Sequence, residues 1–494
     1  MSMLMPNWKP LGESPFTQLI RMNAALEEIL DQPDLLTELR TNNDLQQYIC
    51  SQANIHKMVS FVCGHGQVKH QILSGAVLSS GIGCVVDAVF LNDKTGLYML
   101  KQLTFKNKRL SGMTLDLLCK VLSSLLIPIQ SKEFVLVQTV DGFLEGLISY
   151  MESYSVCDYI IALLKLDVFH MNSRSIQWFC EHGFITMLLN SFLEENISID
   201  KVESAARIID EIVIWRHSHQ IGAAANIFVD FFNIDKNLEQ FICCVFSTTI
   251  KTVQENGLLI ISDMLASNTS RSELCTMPIG GLPAIYKNLV KHFDSIKRLL
   301  TTSTESNSGQ VGQTKIKLGF IVLSLLLSNY SVIYKLVDEF GFIQSLLDIF
   351  YDERHQCTIF RQIVYDIINT IVQRPVTEIK YQLLRDNKFL EKSVEFDKRA
   401  IEFHHQHHYY PDYYLINSTL MFDIYNNREL TSSKFSATIN NDLFLNYVIE
   451  VIIPRNEEKS TYFEQKHIPD NYFDSNTYTN FLLNSQKRGD DDDF

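Results

Sequence analysis

The chain has 494 residues with 43 Lys+Arg against 57 Asp+Glu, a formal net charge of −14; phosphate neutralisation needs concentrated basic charge, so a nucleic-acid-binding body is excluded. Hydrophobic residues make up 46% and charged residues 20%, enough apolar surface for an extensive core and too little charge for wholesale disorder. Only 20 Gly and 11 Pro occur, so the punctuation of β-hairpins is scarce, and collagen-like and small disulfide-scaffold classes are ruled out.

Helical spacing recurs along the chain in three- and four-residue steps. The stripes Leu115, Leu118, Cys119, Leu122, Leu125, Leu126, then Val156, Tyr159, Ile160, Leu163, Leu164, then Val202, Ala205, Ile209, Ile212, Val213, and later Phe360, Ile363, Val364, Ile367, Ile368, Ile371 each write one face of a helix. Two-residue alternation is not sustained anywhere, and the chain reads as all-α. The segments Gly183 to Phe192 and Gly341 to Phe350 share six of ten residues. Each follows a short amphipathic stretch (Ile176 to His182; Val332 to Phe340) and precedes a longer one (Val202 to Trp215; Phe360 to Val372). The glycine falls where one helix must stop and the next begin in a new direction, which predicts a positive φ. Their separation of 158 residues is close to four periods of about 40, the size of a HEAT or armadillo unit. A weaker copy begins at Gly281. The expected architecture is an armadillo/HEAT-like α-solenoid, a right-handed superhelix of stacked helical repeats over residues 1–425. A polar loop insertion is expected near 301–313, and a partly ordered polar and acidic tail over 426–494 that ends Gly489-Asp490-Asp491-Asp492-Asp493-Phe494.

Motifs for chemistry are sparse. There is no G-x-x-x-x-G-K-[ST], H-E-x-x-H, G-x-S-x-G or EF-hand loop, and Gly81-Ile82-Gly83 lacks the third glycine of a dinucleotide fingerprint and reads as a helix terminus. The ten cysteines contain no C-x-x-C pair, and Cys243-Cys244 is the one adjacent pair; the set reads as reduced thiols of a cytoplasmic or nuclear protein. The longest apolar run, Leu318 to Leu327, is too short for a membrane span, and no apolar signal core follows Met1. The run Phe403-His404-His405-Gln406-His407-His408-Tyr409-Tyr410-Pro411 places His404 with His407 or His408 on one helical face, a spacing that can hold zinc. A polar turn stopped by Pro411 accounts for the same composition. A helical metalloenzyme built on this cluster is therefore the third-ranked reading; no catalytic, metal or cofactor-binding residue is assigned. Trp178 and Trp215 lie in amphipathic stretches as core anchors, whereas Trp8 lies between Pro6 and Pro10, ahead of the first stripe, placed to dock an arm.

Several segments together resemble the SAPS-domain family, the regulatory subunits associated with the protein phosphatase 6 type of serine/threonine phosphatase. They are Asn7-Trp8-Lys9, Leu26 to Leu45 (LEEILDQPDLLTELRTNNDL), Asn54 to Val62, Tyr154 to Leu164, Ile176-Gln177-Trp178 with Gly183 to Leu189, and Leu383 to Leu390. Asp34 opens a helix near its positive dipole end, and Asp158 stands where the family keeps an aspartate, while Ala162 replaces its arginine. His404 to Tyr414 departs from the family's R-x-G-Y-M-G-H-L-T-like stretch, and its long variable extension is represented only by Asn426 to Phe494. The resemblance implies a non-catalytic scaffold that binds a serine/threonine phosphatase catalytic subunit and directs its activity or substrate choice, with an ankyrin-repeat-type subunit as a further partner and no nucleic acid or membrane. Trp8, Asp31, Asp34, Tyr154 and Asp158 are the expected partner contacts. The alternative from the repeat pattern alone is an armadillo-like transport or assembly adaptor unconnected to a phosphatase.

Overall fold

The computed structural model describes residues 14–457, apart from 91–92, 105–108, 127–131, 170–173, 219–220, 268–273, 303–310, 353–356, 374–378, 381, 387, 409, 412 and 428–441. Trp8, most of the expected 301–313 insertion and the acidic terminus lie outside the described residues. Those described are helical, with no β-strand among them. The chain divides into two compact units, Met1–Leu299 and Leu300–Phe494.

In the first unit the long helices stack in chain order: α1 (Gln52–Val62) on α2 (Val68–Leu78), then α3 (Gly112–Leu126), α4 (Tyr154–Leu164), α5 (Ile199–Trp215) and α6 (Lys251–Ser267), each packed on the one before. Shorter helices between them, among them Ser175–Glu181, Phe184–Asn190 and Leu238–Ser247, pack on one another as a second row. This helical-repeat arrangement follows from the stripes: Leu118, Leu122 and Leu125 of α3, Val156, Ile160 and Leu163 of α4 and Val202, Ile209 and Ile212 of α5 are all fully buried, each removal from water being worth about 1.5–3 kcal/mol. Trp215 is buried at 9% exposure, and Trp178 packs edge-on against Phe134 and Phe179.

The hairpin turns carry the repeat. Gly183 (φ +81°) and Gly341 (φ +66°) both adopt left-handed backbone between a short helix and the next. The turn recurs at Gly142 (φ +73°), 41 residues before Gly183, and at Lys388 (φ +48°). Each is followed by a phenylalanine of at most 1% exposure (Phe143, Phe184, Phe342, Phe389) and a buried aliphatic residue. Asp34 (φ +61°) makes the same turn ahead of Leu35. Gly281, expected as a weaker copy, does not: it closes a short 3-10 turn, its N–H donating to Pro278 O at 2.9 Å, and Pro283, whose ring holds φ near −54°, starts the following helix. A left-handed L-residue costs about 1–2 kcal/mol, and a Cβ at Gly183 would meet nothing within 4 Å. Gly183→Ala is therefore expected to destabilise by about 1 kcal/mol, and Lys388→Gly to stabilise by a similar amount, in urea denaturation.

In the second unit α7 (Gln313–Leu327) packs on α8 (Thr358–Gln373); α9 (Phe389–His407) and α8 both pack on α10 (Tyr414–Asn426). Residues 442–457, within the stretch assigned to the tail, are helical; α11 (Asp442–Tyr447) continues through a π-turn at Val448–Ile452, and this segment packs on α9 and α10. On α8, burial pushes the Asp366 carboxyl up to about 6, against the hydrogen bond it accepts from Gln362. A raised folded-state pKa gives stability that is fully present below the unfolded value and lost as pH rises through about 6. Asp366→Asn is expected to be more stable than wild type by about 1 kcal/mol at pH 7.5, the advantage vanishing below pH ~4, in paired denaturation curves.

Candidate interaction surface

The solvent side of α3, α4 and α5 is stitched by polar side chains. Ser153, at the N-cap of α4, donates from Oγ to Asp116 Oδ1 of α3 at 3.2 Å. Tyr154 and Asp158, one helical turn apart, share a face of α4, and Arg207 of α5 binds both. Its Nη2 donates to Asp158 Oδ1 at 2.7 Å, and its guanidinium lies 4.1 Å from the Tyr154 ring centroid. Further along, Lys165 Nζ pairs with Glu211 Oε2 at 3.7 Å and sits over the Trp215 ring. Arg207 and Glu211 are i and i+4 on α5, opposite its apolar stripe, so their spacing follows the register in which α4 stacks on α5.

The electrostatics of this face follow from its half-burial. Burial works against the Arg207 charge, but the sulfur of Cys157 and the Asp158 carboxylate outweigh it and raise its pKa. Cys157, beneath the guanidinium, is pushed up to about 11 by burial. On the neighbouring turn Asp210 is raised by burial and by Glu211, against a hydrogen bond with Asp263 of α6. Tyr154 remains 63% exposed, a rigid aromatic braced by a cation.

Of the residues expected from sequence, the structure brings Tyr154 and Asp158 together and adds Arg207, which sequence reasoning missed. The signal for it was present: at the position of Ala162 the arginine expected one turn after Asp158 is absent, and a polar i, i+4 pair recurs on the solvent side of the next long helix. Asp31 belongs to a different corner. It caps the C-terminus of the helix Leu26–Leu30, and its Oδ1 lies 2.8 Å from Lys69 Nζ and 3.2 Å from His70 Nε2 of α2, the Lys69 hydrogen bond lowering its pKa. Asp34 is exposed at the N-cap of the helix Leu35–Leu39; its left-handed backbone makes the turn and its side chain caps no N–H.

The histidine run ends α9 and is occupied with stacking. The His404 ring lies 3.9 Å and 7° from that of Tyr410, which lies 4.0 Å and 10° from Tyr414. His407 packs on Phe403. Among the described residues no group of three His, Cys, Asp or Glu side chains is placed to hold a metal ion. No single described helix is long and apolar enough to cross a membrane.

Comparison with known proteins adds a distant relationship. The chain is similar to "Extragenic suppressor of kinetochore protein 1" of Schizosaccharomyces pombe (strain 972 / ATCC 24843), 21% identical over 333 residues, which cover 60% of this chain and 39% of that protein. The chain thus spans well under half the length of this relative. No family model matches it. Among solved structures, the crystal structure of an engineered protein aligns with 84% of this chain and 99% of its own at a TM-score of 0.43 and 11% identity.

Proposed function

We propose that the chain is a non-catalytic regulatory or scaffold subunit of the SAPS type. On this reading it binds a serine/threonine phosphatase catalytic subunit of the protein phosphatase 6 type and directs its activity or substrate choice. The observation that carries the reading is the Tyr154–Arg207–Asp158 cluster, formed on the solvent side of stacked helices by a segment that resembles the SAPS family. The distant relative is named as an extragenic suppressor of a kinetochore protein, which is a genetic relationship. Chemically, tyrosine and arginine dominate binding hot spots because they combine large contact area with directional polar groups and lose little entropy when already held in place. Arg207 is held in place by Asp158 and Tyr154 before any partner arrives. On this reading the surrounding polar face provides complementarity.

The test is affinity capture from cell extract with wild type and with Arg207→Ala. Co-purification of a metallophosphatase catalytic subunit, weakened about tenfold by Arg207→Ala with folding stability changed by less than ~1 kcal/mol, is the expected result. Capture of cargo or cytoskeletal proteins without a phosphatase would instead establish the adaptor reading.

A further inference from the structure

The ring of Tyr154 has two faces, and the chain occupies one of them. Arg207 lies 4.1 Å from the ring centroid, yet Tyr154 is 63% exposed, so a guanidinium stacked on one face leaves the other to solvent. The carboxylates around the ring are unevenly matched. Asp158 is bonded to Arg207 through Oδ1, and its side chain stays half-exposed. Glu152 meets the exposed Arg109 at 3.3 Å. Asp116 of α3 is exposed and accepts from the hydroxyl of Ser153, the residue before Tyr154, at 3.2 Å. Among the described residues no cation pairs with Asp116, and Lys120, four residues along α3, is exposed without pairing to it. α4 packs on both α3 and α5. From α5 the tyrosine receives a cation; beside it α3 offers a carboxylate that has none.

We propose that Tyr154 and Asp116 form a docking site for an arginine presented by a protein partner. The guanidinium lies on the ring face opposite Arg207, and its N–H edge donates to the Asp116 carboxylate. Either face of an aromatic ring attracts a cation, because the quadrupole is negative on both sides. A guanidinium suits this pair of groups better than an ammonium does. It is flat and weakly hydrated, so it can lie on the ring while a fork of N–H donors meets a carboxylate at the edge. The completed arrangement is a cation–ring–cation stack in which each cation has its own carboxylate, Arg207 with Asp158 and the incoming arginine with Asp116. Those carboxylates offset the repulsion between the two cations. Arg207 already holds the ring, so little side-chain freedom is lost on docking. The formal net charge of −14 favours the approach of a basic surface. This deepens the regulatory-subunit reading and rests on it for the identity of the partner, the phosphatase catalytic subunit.

The experiment follows the fluorescence anisotropy of labelled hexa-arginine, hexalysine and hexaglutamate peptides with the purified full chain at low ionic strength. Hexa-arginine should bind about fivefold more tightly than hexalysine, and hexaglutamate should not bind. Tyr154→Leu should weaken hexa-arginine about tenfold, whereas Tyr154→Phe, which keeps the ring, should bind as wild type does. Asp116→Asn should weaken it about threefold. Asp442→Asn, which removes an exposed acid from the second unit, is the control for bulk charge and should change nothing. No binding of hexa-arginine, equal binding of hexalysine, an unaffected Tyr154→Leu, or an Asp442→Asn loss as large as that of Asp116→Asn would each overturn the proposal. Should Tyr154→Leu fail to fold, the Asp116→Asn and Asp442→Asn comparison decides by itself. Affinity capture keeps the two readings apart. A phosphatase catalytic subunit captured equally by wild type, Tyr154→Leu and Asp116→Asn overturns the arginine site and leaves the subunit reading standing. Hexa-arginine binding with the expected variant pattern, but no phosphatase captured, supports the site and overturns that reading.

Discussion

Replacing Arg455 by methionine should cost the second unit about 3–5 kcal/mol, because it leaves a carboxylate buried without its cation. Asp397 of α9 is fully buried. Its Oδ1 and Oδ2 accept from Arg455 Nη1 and Nη2 at 3.2 and 3.1 Å, and Oδ2 accepts also from the Tyr447 hydroxyl at 2.7 Å. Arg455 lies over the Tyr414 ring at 4.6 Å, at the end of the stack that begins at His404. One guanidinium therefore clamps residues 442–457 to α9 and α10, and the remaining Tyr447 bond cannot neutralise the charge. Because a buried ion pair is worth far less than the penalty for breaking it, the double variant Asp397→Leu with Arg455→Met should recover most of the loss. Urea denaturation, with hydrogen exchange followed on peptides from 442–457, measures both. A single-variant loss below ~1 kcal/mol would contradict a buried, charged Asp397.

The second large effect is expected at Gly146, in the helix Phe143–Ser149. An added Cβ would lie 1.9 Å from Leu103 O and 2.8 Å from Thr104 Cα. These are backbone atoms, which cannot swing aside as a side-chain tip can, so Gly146→Ala must push a helix off its neighbour. A cost of about 3 kcal/mol or more is expected, at the upper end for overpacking. Gly142 is the internal control, four residues earlier. A Cβ there meets nothing within 4 Å and only the positive φ is strained, so Gly142→Ala should cost about 1–2 kcal/mol. The difference between the two in urea denaturation separates steric contact from backbone conformation.

Much of the architecture was legible because its causes are local. Leu118 and Leu122, or Ile209 and Ile212, are neighbours on one helix whatever the rest of the chain does, so their spacing alone predicts a helix with one buried face. Gly183 and Gly341 likewise announce a left-handed turn, since the residue type carries the conformational preference. The copy at Gly142-Phe143-Leu144 was equally available but went unread, because it shares less identity with the other two segments and stands out only through the Gly-Phe-aliphatic pattern at a period of about 40. Lys388 and Asp34 were harder to find: their residue types do not demand a left-handed backbone, and only the fold imposes it.

The candidate surface was legible by half. Tyr154 and Asp158 lie on one helical turn, within reach of periodicity. Arg207 is 49 residues from Asp158, and Arg455 is 58 from Asp397; whether such pairs meet depends on which helices stack and in which register. Amino-acid order settles the all-α class, the one-sided burial of each long helix and the hairpin turns at Gly183 and Gly341, because those are decided within a few residues by side-chain periodicity and backbone sterics. Tertiary packing decides which charges are neutralised and which aromatic rings stack. Their energies depend on distance and desolvation, and both are set only when non-local helices come together.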